Sequence, residues 1–127
     1  MEKKFEFTDE TNKYGHKRIR ALRDIPRYNV KKGDLGGFLE NEYNLSHDDD
    51  CWVSDNAEVF CNAFVSGNAI VSGNAKISGD AWVSGNAYVF GNAKVFGDAY
   101  VFGYAIVSGN AKVFGYANIS GTANISG

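Results

Sequence analysis

A six-residue period governs this chain from Val53 to Gly127. Read in hexads from Val53, every first position is Val or Ile and every fifth is Ala, and twelve whole hexads are followed by Ile125-Ser126-Gly127. A repeat this regular does not describe a core in which residues distant in sequence interdigitate. It requires a solenoid, where each unit packs only on its neighbours in the stack. Within a hexad, Ala-x-Val alternates with period two, so Ala and Val share the inner face and the residue between them points away. The next three positions, Ser or Phe, then Gly, then Asn or Asp in most hexads, are turn chemistry, with Gly free to adopt positive φ. A strand and a corner in six residues leave no room for a hairpin or a helix. The backbone hydrogen bonds must therefore run to the coils above and below.

The pattern A-x-[VI]-x-G-[ND] resembles the hexapeptide repeat of left-handed parallel β-helix proteins, and the resemblance covers Cys51 to Gly127. It implies an all-β chain wound left-handed as a triangular prism, three hexads to the coil. Residues eighteen apart then stack roughly 4.8 Å from one another. The outward residues sort into three columns. The first is Glu58, Lys76, Lys94 and Lys112; the second is Phe64, Trp82, Tyr100 and Asn118; the third is Trp52, Ile70, Tyr88, Ile106 and Asn124. One side of the prism is charged and two are apolar, with Phe102 and Tyr104 at the corner between the apolar sides. Several exposed rings, at on the order of 100 Å² each, exceed the contiguous apolar surface of most soluble monomers. An oligomer interface is therefore expected at Trp52, Phe64, Ile70, Trp82, Tyr88, Tyr100, Phe102, Tyr104 and Ile106. The resembled proteins are commonly trimers with parallel axes, so the implied assembly is a homotrimer. The alternative is that the rings only stack along each side and stabilise the coil.

The charge is confined elsewhere. Residues 1–50 hold ten of the thirteen Lys and Arg and eleven of the fifteen Asp and Glu, and the chain carries a net charge of −2. Two domains are expected: an N-terminal cap over 1–50 and the β-helix over 51–127. In the cap, Phe5 to Thr8 alternates like a strand, Asp9 to Lys13 reads as a turn, and Arg18 to Leu22 reads as a return strand closed by Pro26. The resulting hairpin would cover apolar interior and unpaired backbone groups at the first coil. Gly36-Gly37 permits close backbone approach, read here as packing rather than phosphate binding, because no helix follows. The start Met1-Glu2-Lys3-Lys4 lacks the apolar core of a signal peptide, and no run is long enough to span a membrane, which gives a cytoplasmic expectation. Cys51 falls in an inward Ala slot and Cys61 in a corner slot, so no disulfide is expected, and no metal site either. Asp48-Asp49-Asp50 reads as a solvated loop.

The leader G-D-L-G-G-F-L-E, N-L-S and C-W-V, within Gly33 to Val53, resembles that of uncharacterised hexapeptide-repeat proteins of bacteria, prophages and phages, often labelled transferases. Hexapeptide acyltransferases use a histidine as general base near a loop extruded from the coils, and carbonic anhydrases on the same prism bind metal through three histidines. This chain has only His16 and His47, neither within the uninterrupted repeat. No catalytic residue and no cofactor are assigned. Acyl transfer survives only if His16 or His47 reaches an acceptor.

Three functions follow as expectations. The first is a non-catalytic homo-oligomer whose inter-protomer clefts hold a flat, anionic, nucleotide-like ligand, as a phage-type sponge would. Trp82, Tyr88, Tyr100 and Tyr104 would stack on it, and Arg18, Arg20 and Arg23 would meet its charge. Interspersed acids in the cap argue against duplex nucleic acid. The second is a structural β-helix that stacks end to end or binds a protein partner, and the third is the acyltransferase.

Overall fold

Burial follows the hexad register. In the computed structural model, which describes residues 2–127, the inner Ala, Val and Ile from Ala57 to Val107 are at most 1% exposed. Thirteen two-residue strands carry the repeat, beginning with β4 (Trp52–Val53), β5 (Glu58–Val59) and β6 (Phe64–Val65) and ending with Asn124–Ile125. Each of the first ten pairs in parallel with the strand eighteen residues further along, as Trp82 with Tyr100 and Tyr88 with Ile106. Three sheets result. The chain is all-β, a stack of parallel coils, with no α-helix among the described residues.

The corners explain the glycines. Gly85 has φ +65°, and a Cβ built on it would lie 2.7 Å from the backbone nitrogen of Gly103 in the next coil. Both the conformation and the close stacking therefore exclude a side chain. The neighbouring Asn86 N–H donates to Gly103 O at 2.7 Å, so even the corners are hydrogen-bonded from coil to coil.

The N-terminal residues extend one of the sheets. β1 (Phe5–Thr11) and β2 (Lys17–Ala21) form an antiparallel hairpin, and β2 pairs antiparallel with β3 (Leu35–Leu39). β3 then runs parallel to β5, with Phe38 opposite Glu58 and Leu39 opposite Val59. Residues 35–50 thus form an irregular first coil on which the regular ones stack. Gly37 occupies an inner Ala slot in which a Cβ would come within 2.5 Å of Ala57 O, and Leu45 bridges Val65 in parallel. Phe5, Ile19, Ala21 and Ile25 of the cap share one continuous core with the Ala and Val interior.

This irregular coil corrects one expectation. Trp52, placed by its outward slot on the oligomer interface, is only 1% exposed. A Cβ at Gly36 would sit 2.8 Å from its indole and 2.7 Å from Ile19, so the cap lies directly on this ring. The column is right, but its first member is core.

Candidate functional site

The two ring-bearing sides meet at a corner and share one property. The segments 63–71, 81–89, 99–107 and 117–125 contain no Asp, Glu, Lys or Arg. On this surface Trp82, Tyr88 and Tyr104 are exposed, Tyr104 by 66%. Phe64, Ile70, Tyr100, Phe102 and Ile106 are half-buried. The rings also stack along the axis, Phe64 on Trp82 at 6.0 Å between centroids and Trp82 on Tyr100 at 4.8 Å, and within one coil Tyr100 stacks on Phe102 at 4.2 Å. Trp82 Nε1–H donates to Ser66 Oγ at 2.7 Å, which fixes the indole against the coil above. Ladder stacking and outward exposure therefore coexist. The Trp82 ring has Phe64 on one face and Tyr100 on the other, so a flat ligand cannot slide between them.

The cap arginines are engaged within the chain. Arg18 donates to Gly36 O at 2.7 Å, Asp55 O at 3.0 Å and Asn56 Oδ1 at 3.2 Å, with its guanidinium 4.3 Å above the Phe38 ring. Arg20 pairs with Glu6. Arg23 donates to Asp49 O at 2.6 Å and faces Asp50 at 3.4 Å. Sharing a strand face does not make Arg18 and Arg20 an anion cradle, because acidic and carbonyl oxygens on neighbouring segments reach them first. Arg18 clamps the hairpin to the first regular corner, Arg23 ties it to the 49–50 loop, and Arg20 links the two strands of the hairpin.

The histidines differ sharply. His47 Nδ1 accepts the Lys4 backbone N–H at 3.0 Å, so its proton sits on Nε2, which donates to Glu42 Oε2 at 3.0 Å. This contact holds the Glu42 carboxyl below the usual carboxylate range. Both ring nitrogens of His47 are occupied, and it has no lone pair left to act as a base. His16 lies 2.9 Å from Glu58 Oε1 through Nδ1, stacks on Phe60 at 5.0 Å, and leaves Nε2 without a partner among the described residues. Glu58, in the outward charged column, is nevertheless buried, bonded also by Asn12 and 3.7 Å from Lys76 Nζ. A cavity of about 280 Å³ is lined by Tyr14, His16, Glu58, Phe60 and Lys76. Single-column reasoning could not find this dyad, since Glu58 is drawn inside by a hairpin remote in sequence.

A second buried cluster closes the other flank of the cap. Lys4 Nζ donates to Asp48 O at 3.4 Å and Asp49 O at 3.3 Å and lies 3.2 Å from Cys51 Sγ. Burial lowers the Lys4 pKa and raises that of Cys51. Cys51 and Cys61 are both free thiols. Among the described residues no His, Cys, Asp and Glu group is arranged to hold a metal ion, and no helix is long and apolar enough to cross a membrane.

With that geometry in place, residues 63–79 match the family profile described as the YdcK beta solenoid repeat. The chain is a β-solenoid repeat protein. The match spans one coil of the solenoid, where Ala63 to Ser78 run through all three sides. No curated protein matches the sequence.

Proposed function

We propose that the solenoid is a non-catalytic module that self-associates through its two uncharged, ring-bearing sides. The observation that carries this reading is the absence of any formal charge across four successive coils of both sides and their common corner, combined with the exposure of Trp82, Tyr88 and Tyr104 there. Apolar surface of this extent is stabilised by burial against a like surface, at about 25 cal/mol per Å² removed from water. Parallel register makes the side flat and repetitive, which suits a second copy lying alongside, and a closed trimer is the assembly that leaves no ring-bearing side free. The anionic-ligand version of this reading loses its support, because Arg18, Arg20 and Arg23 are engaged within the chain.

Light scattering over a range of concentrations tests the reading. A discrete mass of a few protomers is expected, reverting to one protomer in the Trp82→Glu, Tyr104→Glu double variant. A wild-type protomer that stays single at high concentration, or particles growing without limit, would overturn it.

One observation favours acyl transfer as a second reading. His16 has its Nδ1 fixed by Glu58 and its Nε2 free at a cavity, the orientation a general base needs. Acetyl-CoA turnover that disappears in His16→Gln and persists in His47→Gln would support it. The absence of turnover on a panel of amine and hydroxyl acceptors would remove it.

A further inference from the structure

A cavity of about 500 Å³ lies at the head of the aromatic ladder and is lined by Asn41, Tyr43, Leu45, His47 and Phe64 together with the acidic Glu42 and Asp48. Its origin is a break in register chemistry. Leu45 pairs with Val65, so the residue above Phe64 in its column is Asn44. Asn44 does not stand outward. It is fully buried, and its amide donates to Ala63 O at 2.8 Å and Cys61 O at 3.2 Å. The ladder therefore begins at Phe64, which stacks on Trp82 and on no other ring among the described residues. One face of Phe64 is left for a ligand, in a hollow of the size that holds small molecules.

The rim sets the charge of that ligand. The Asp48 carboxylate makes no hydrogen bond or ion pair among the described residues, and Glu42, although it meets His47 and Lys3, remains half-exposed. The basic groups nearby are engaged: Lys3 Nζ lies on Glu42, Lys4 Nζ donates to the Asp48 backbone carbonyl, and His47, which lines the hollow, has both ring nitrogens bonded. Carboxylates stand beside an aromatic floor, which is complementary to a flat ring with a cationic substituent.

We propose that this hollow binds a flat aromatic ring that carries a cationic group, the ring stacked on Phe64 as the next step of the ladder and the charge against Asp48 and Glu42. The hollow is built by one chain and needs no second copy. Tryptamine and indole-3-acetate carry the same ring with opposite charge, and titrating both into the full chain by NMR isolates the two contributions. Tryptamine should bind at least about tenfold more tightly than indole-3-acetate. Phe64→Leu should weaken tryptamine binding by removing the platform while leaving the fold intact, since Asn118 occupies the same column without a ring. Asp48→Asn should narrow the difference between the two probes. Equal affinities, no binding of tryptamine, or binding undiminished in Phe64→Leu would each overturn the proposal.

Discussion

His16 Nδ1 and Glu58 Oε1 meet at 2.9 Å with both side chains buried, and the contact joins the hairpin to the first regular coil. Glu58→Ala strands His16 and Asn12 without their acceptor and should lower the unfolding free energy by about 2 to 3 kcal/mol. A double-mutant cycle with His16→Ala in urea should return a coupling of roughly 1 kcal/mol or more. Additive effects would show that the two residues stabilise the cap separately.

The corner glycines should not be equivalent. Gly85→Ala forces a Cβ onto the backbone of Gly103, whereas a Cβ at Gly121 meets nothing within 4 Å although its φ is also positive. Gly121→Ala should cost about 1 to 2 kcal/mol for the left-handed conformation alone. Gly85→Ala should cost clearly more, read as the larger fall in thermal midpoint.

The two tryptophans should separate stability from association. Trp52→Ala removes a core ring beneath the cap and should destabilise by about 3 to 5 kcal/mol. Trp82→Ala loses two stacking contacts made by a partly exposed ring on an apolar side and should cost only about 1 to 2 kcal/mol, while its effect on protomer association is the greater one. Parallel urea titrations and light scattering on the two variants check this.

Lys4 gives a pH dependence of known sign. Burial lowers its folded pKa beneath the ordinary 10.5, so at low pH the fold carries a buried ammonium. As pH rises through the folded value towards 10.5, the unfolded chain holds more protons than the native one, and stability increases. Cys51, with its pKa raised above 9.0, acts in the opposite sense beyond pH 9. In a Cys51→Ala background, wild-type Lys4 should therefore gain stability relative to Lys4→Met as pH is raised, measured by urea midpoints. A pH-independent difference would mean the amine is solvated.

The repeat made the stacked coils, their register and the three columns legible, because Ala, Val and Gly each answer a local constraint that recurs every six residues. The side-chain environment in the first coil was not legible. Trp52 and Glu58 occupy outward slots by period, yet Gly36 and the Asn12 to His16 turn fold over them, and no periodic signal reports a contact made by a non-repeating segment. The same reason hides the partners of Arg18 and Arg23. A run of basic residues advertises charge, but whether that charge is free depends on which carbonyls and carboxylates the loops bring near.

The pairing of Trp82 with Tyr100 fixes the coil at eighteen residues, and this makes chain length a quantised variable. Inserting a whole coil would lengthen the prism by one layer and leave every downstream neighbour relation intact. Inserting a single hexad would keep each corner sound yet turn all that follows by one side, setting lysines beneath rings. Tolerance to insertions in this molecule is thus a matter of divisibility rather than of size.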